Sequence, residues 1–226
     1  MKAKDQFGIH LLLILSGIVH LSDSRSHNAS EISVVAYYAG GIEQLADFSQ
    51  VTHLNFAFAH LVGNTSRMGM DSASDIEKLQ KMVGLKTRFP HLKVLVSMGG
   101  RTGCETCSDA FSTAEGREEF ADSAKQLVDQ FNLDGLDLDW EYPTVRLDND
   151  IDTEPVHKTS PADREHFTDL LRRLRTALGE NATVSFAAGA FQTYLEKALE
   201  WKEVSTLTYS RFVAAEAASC RPNHCR

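Results

Sequence analysis

The chain has 226 residues, 42% hydrophobic and 24% charged, a make-up that excludes collagen-like and intrinsically disordered classes. Its 31 acidic against 23 basic residues give a net charge of −8. With no Lys/Arg-rich run, that balance argues against a nucleic-acid partner and permits a neutral substrate.

Lys2 and Lys4 precede an apolar stretch from Phe7 to Leu21, and small residues follow at Ser22, Ser24 and Ser26. This is the layout of a secretory signal peptide over residues 1–26, and it is short for a membrane span; a signal anchor is the alternative. After cleavage the chain is expected to be secreted, extracellular and free of the membrane. Sequons beginning at Asn28, Asn64 and Asn181 predict N-glycosylation.

Strand and helix patterns then alternate. Ile32 to Tyr38 is β-branched and aromatic and ends at Gly40-Gly41, which predicts a first strand; Thr52 to Leu61 predicts a second. Ser72 to Arg88 carries Ile76, Leu79, Met82 and Val83 on one helical face. Leu92 to Met98 is a third strand, apolar enough to be buried on both sides, ending at Gly99-Gly100. A Cys-x-x-Cys pair, Cys104 and Cys107, follows. A redox pair and a zinc site are the rivals, but a local Cys104–Cys107 disulfide fits an exported chain best; Cys220 and Cys225 stay unassigned.

Ser112-Thr-Ala-Glu115 has the pattern of a capping box and opens a helix that buries Phe120, Ala124, Leu127 and Val128. The fourth strand follows, then a polar loop over 144–160. Ser160-Pro161 predicts a helix start with proline at its first position, and the stripe Phe167, Leu170, Leu171, Leu174, Leu178 runs to Gly179. Thr183 to Ala190 is a fifth strand, and Tyr194 to Glu203 has a helical pattern. In the loop, Asp148, Asp150 and Asp152 imitate a calcium loop, but Thr153 and Thr159 stand where glycine and glutamate are needed, so no metal is assigned.

The fourth strand is the most informative segment. Asp137, Asp139 and Glu141 alternate with Leu136, Leu138 and Trp140, so one face is apolar and the other stacks three carboxylates. Same-face neighbours on a strand are about 6–7 Å apart, close enough for each charge to raise the next pKa. A carboxyl that must donate a proton near neutral pH needs such a neighbour, and this points to general acid/base chemistry. Asp134 lies at an odd offset and faces elsewhere, as a brace or a functional group. Alternating strands and helices imply a parallel sheet, either a barrel or a doubly wound sheet. No Gly-x-Gly-x-x-Gly follows a strand, and Glu141 sits where a barrel places catalytic groups, which selects the barrel.

Asp134-x-x-Asp137-x-Asp139-x-Glu141 resembles the signature of family 18 glycoside hydrolases, the chitinases and their relatives. Val94-Leu-Val-Ser-Met-Gly-Gly100 is similar to the family's second signature, and the stretches starting at Ala36 and Thr52 resemble its first strands. The resemblance spans about Ile32 to Val204. It implies an α/β fold of (β/α)8 TIM-barrel type, with about five of the eight βα units in a domain over residues 32–204. It also implies substrate-assisted retaining cleavage of chitin or a related N-acetylglucosamine polymer, without cofactor. Glu141 would be the acid and then the base, Asp139 would orient the substrate's acetamido group, and Asp137 would share a proton with Asp139. Tyr142, Tyr37, Phe58 and Gly100 would line the sugar site, with barrel core as the other reading of Tyr37 and Phe58. Trp140 faces away and packs, and Asn55 is a polar interior group.

Two departures from the family stand out. Arg101 replaces the tryptophan that often follows Gly-Gly, and Leu207-Thr-Tyr-Ser210 only faintly echoes a sixth strand ending in Met-x-Tyr-Asp. The tail, 205–226, shows no resemblance. These features leave open an endo-acting chitinase, a catalytically silent chitin-binding lectin, or a C-terminally truncated product with an exposed sheet edge; no oligomeric state is assigned.

Overall fold

The computed structural model describes residues 13–15, 33–38, 47–101, 103–146, 157–208 and 214–216. In chain order the elements are β1 (Leu13–Leu15), β2 (Val34–Tyr38), β3 (His53–Leu61), β4 (Met68–Gly69), α1 (Ala73–Gly84), β5 (Lys93–Gly99), α2 (Cys107–Ala110), α3 (Ala114–Phe131), β6 (Gly135–Asp139), α4 (Asp163–Leu178), β7 (Thr183–Gly189), α5 (Gln192–Lys197), α6 (Trp201–Leu207) and β8 (Ala214–Glu216). The sheet order is β1-β2-β3-β5-β6-β7-β8. Every pairing from β2 to β8 is parallel, β1 joins β2 antiparallel, and β4 folds back on β3 as a hairpin. This is a half-barrel of the (β/α)8 type, and the five expected strands fall at their expected places. Leu13–Leu15, inside the segment assigned as a signal peptide, pairs with Val34–Ala36. The rest of that segment, Asn28, the Asp148–Asp152 run, Ser210 and both C-terminal cysteines lie outside the described residues.

Strand alternation divides the side chains between two environments. Leu54, Phe56, Val94, Val96, Met98, Leu136, Leu138, Val184 and Phe186 point outward into one apolar core shared with Leu79 and Met82 of α1, Phe120, Ala124 and Leu127 of α3, and Phe167, Leu170, Leu171 and Leu174 of α4. The inward face carries the polar side chains Asn55, Ser97, Asp137 and Ser185, all buried, beside Leu95. Burying these apolar side chains contributes roughly 1.5–3 kcal/mol each, which is what holds the polar interior in place.

Several boundaries differ from expectation for local reasons. α3 is capped by Thr113, whose Oγ1 accepts from Gly116 N at 3.0 Å, while Ser112 donates to the Asp109 carbonyl instead. The predicted capping box is therefore displaced by one residue and lacks its reciprocal glutamate. α4 begins at Asp163 rather than at Pro161, because the Asp163 carboxyl captures Ser160 N and turns the chain first. The helix expected over Tyr194–Glu203 is two helices, α5 and α6. Leu207 ends α6 and Thr208 caps it, so the faint sixth-strand echo is helical at its start. Arg175 secures this corner by donating to the carbonyls of Gly179, Ala182 and Leu207.

Asp134 proves to be a brace. It sits at the entry to β6, where Lys86 Nζ approaches to 2.8 Å and Val94 N donates at 2.9 Å. Among the described residues no helix is long and apolar enough to cross a membrane.

Candidate active site

Asp137 and Asp139 close the carboxyl end of β6, Glu141 follows two residues past it, and all three are buried. Strand register puts Ser97 of β5 and Ser185 of β7 directly beside Asp137. Both hydroxyls donate to it, Ser97 to Oδ2 at 2.7 Å and Ser185 to Oδ1 at 2.6 Å. Tyr37 reaches across from β2 and donates to Oδ2 at 2.9 Å. Burial pushes the Asp137 carboxyl above the ordinary aspartate value, and these hydroxyls only partly hold it down. The Tyr37 hydroxyl is in turn raised well above 10.0, first by burial and then by the charges of Asp137 and Asp139. Asn55 is buried beside the same pair and lowers both groups, yet neither of its amide atoms completes a hydrogen bond of good geometry.

Close backbone packing shapes the neighbouring wall. Gly100 N donates to the Asp139 carbonyl at 2.9 Å, and a Cβ on Gly100 would sit 2.9 Å from the Phe58 ring. Glycine at 100 is thus what lets the half-buried Phe58 ring come this close to the turn. The Ala57–Phe58 and Glu141–Tyr142 peptides are cis.

Tyr142 is buried at 7% exposure, edge-on to Phe191 and to Tyr194, each at 5.2 Å between centroids. The rings continue without a break through Trp201, Phe186, Phe167, Trp140, Phe111 and Phe120. Trp140, just past β6, therefore packs between strand and helices, as the alternation of the segment predicts. In the sequence Tyr194 only opens a helical pattern and Phe191 lies before it. No period links them to Tyr142 in the sequence, and only the fold brings them together.

The chain after Glu141 is held from outside the sheet. His157 Nδ1 lies 2.8 Å from the Glu141 carbonyl; a carbonyl only accepts, so Nδ1 carries the proton in this bond. The Cys104–Cys107 disulfide is formed and leads into α2. Arg101, Asn64 and Asn181 are exposed, and Asn64 borders a polar surface cleft with Thr106 and Lys158. Among the described residues no cluster of His, Cys, Asp or Glu could hold a metal ion.

Comparison with known proteins gives a consistent picture. The profile of Glycosyl hydrolases family 18 matches residues 33–214, ten residues past the domain end read from sequence. Probable chitinase 2 of Drosophila melanogaster is 32% identical over 163 residues, covering 68% of this chain and 31% of that protein. Chitinase A1 of Niallia circulans is 29% identical over 258 residues, covering 85% of this chain and 36% of that protein. Among solved structures, the chitinase domain of spore coat protein CotE from Clostridium difficile superposes with a TM-score of 0.69 at 27% identity, covering 82% of this chain and 51% of that one. The chain spans about a third of the length of these curated relatives.

Proposed function

The chain belongs to glycosyl hydrolases family 18, and from that premise we propose that it is a chitinase-like glycosidase acting on β-1,4-linked N-acetylglucosamine polymers. The observation that carries this reading is the stack of Asp137, Asp139 and Glu141, buried along one strand end with Asp137 tied to three hydroxyls. Glu141, at the mouth, protonates the glycosidic oxygen. The substrate's own acetamido oxygen attacks the anomeric carbon from the opposite face, so no protein nucleophile is needed. Asp139 accepts the acetamido N–H, which orients that group and offsets the positive charge developing on it. Asp137 lies one layer deeper and supports Asp139. Glu141, now ionised, takes a proton from the water that opens the cyclic intermediate, which regenerates the acid. Phe58, Tyr37 and Tyr142 shape the sugar site. The reading includes export by residues 1–26, a mature extracellular chain, and glycans on Asn28, Asn64 and Asn181; the exposure of the latter two supports attachment there.

The test is release of fluorophore from a chitobioside by the purified chain beside Glu141→Gln. Loss of a general acid lowers turnover by about 10²–10⁴-fold. Equal rates for the two proteins would sink the proposal, and chitin pull-down without turnover would make the chain a lectin.

A further inference from the structure

Asp163 is completely buried, and its carboxyl joins three separate segments. Oδ1 accepts from Ser108 Oγ at 2.8 Å, the residue following the Cys104–Cys107 disulfide. Oδ2 accepts from Ser160 N at 2.7 Å and from Thr144 N at 3.3 Å. Thr144 is the third residue beyond Glu141, and its backbone is left-handed at φ 67°. Val145 N closes a three-residue turn there onto the Pro143 carbonyl at 2.8 Å. A β-branched residue rarely adopts such a φ unless its surroundings impose it. The same 157–163 segment holds the Glu141 carbonyl through His157 at 2.8 Å. Lys158 adds a backbone bond to the Glu105 carbonyl at 3.3 Å and an ion pair with Asp109. Glu141 is thus gripped at its own carbonyl and again three residues on, by one segment anchored on the disulfide-closed loop.

We propose that Asp163 is a positioning residue, which fixes the strained turn after Glu141 against Ser108 and so sets where the Glu141 carboxyl points. This rests on the glycosidase reading for its catalytic consequence, but not for its structural part. A displaced acid at the reacting bond costs about 10- to 100-fold in rate. Asparagine can keep all three bonds: its carbonyl oxygen takes the two backbone N–H groups, and its amide donates to Ser108 Oγ. Alanine keeps none.

Hydrogen exchange of the peptide spanning 141–146 and chitobioside turnover, measured together on wild type, Asp163→Ala and Asp163→Asn, decide the matter. In Asp163→Ala exchange in 141–146 rises at least about tenfold while β5 stays protected, kcat falls about 10- to 100-fold with KM little changed, and Asp163→Asn restores both. Unchanged exchange in Asp163→Ala overturns the proposal whether or not the chain is active. Faster exchange with unchanged kcat in an active chain also overturns it, leaving a purely structural residue. Faster exchange in a chain whose wild type shows no turnover upholds the bracing and sinks the glycosidase reading instead. If Asp163→Ala does not fold, Ser108→Ala takes its place, with about threefold faster exchange expected in 141–146 and unchanged exchange overturning the proposal.

Discussion

The Tyr37 hydroxyl donates to the Asp137 carboxyl at 2.9 Å although β3 and β5 lie between their strands. On a flat sheet three strand spacings would hold those backbones on the order of 14 Å apart. The bond closes because the sheet curls, so it measures barrel curvature at the point where the carboxylates sit.

Burying a carboxyl at that point comes at a cost in stability, which Asp137→Asn should expose. Burial raises the folded-state value of Asp137 above the unfolded one, about 3.9. Its contribution is then fully present below about pH 3.9 and is lost as pH rises through the raised value. The asparagine variant does not titrate, and its amide can still meet the three hydroxyls. Its melting temperature should exceed wild type at pH 7, with the gap vanishing toward pH 3.9, while turnover falls by about tenfold or more. A variant less stable than wild type at pH 7 would contradict this account.

His53, at the opposite end of the barrel, should give the reverse slope. Burial lowers it to about 4, with Lys93 adding to the effect and Asp134 opposing it. The neutral ring is favoured in the fold, so its contribution is present above the unfolded value of about 6.5 and is lost as pH falls to about 4. Discounted for partial screening, this amounts to about 2 kcal/mol. Denaturant titrations at several pH values should show the loss in wild type and a flatter profile in His53→Gln.

Thr144→Gly should stabilise the chain by up to about 1 kcal/mol, because glycine accepts the positive φ without penalty. Removing the buried Thr144 hydroxyl, which lacks a partner, acts in the same direction. A drop in the thermal midpoint would show that the side chain supports the turn rather than straining it.

Gly135→Ala should be severe. At φ 156° and beside β7, a Cβ there would overlap the Thr183 carbonyl oxygen, which is backbone in the next strand. β6 and β7 would have to separate, for a loss of about 3 kcal/mol or more. Equilibrium unfolding would detect it, and a loss under about 1 kcal/mol would show that the strands can yield.

The sequence made legible whatever was periodic. β3, β5, β6 and β7 announce themselves through alternation or unbroken apolar runs, and α3 and α4 through their stripes. The β4 hairpin and α2 are too short to carry a period, and the break between α5 and α6 falls inside one continuous helical pattern. The carboxylates were visible because they share one strand. Their hydrogen bonds were not: Tyr37 is legible only as a sugar-site residue, and Ser97, Ser185 and Tyr37 stand 40, 48 and 100 residues from Asp137, so only strand register and curvature bring them in. Asp163 likewise carries no mark of its role in the sequence, being one of two acidic residues in the first turn of α4.

The unbroken run of rings ending at Tyr142 also gives the molecule an internal reporter. Both tryptophans of the chain, Trp140 and Trp201, belong to that run. Intrinsic tryptophan emission therefore originates in the shelf on which Tyr142 rests. A shift in its wavelength on adding an N-acetylglucosamine oligomer would register that shelf adjusting to the sugar, without any label.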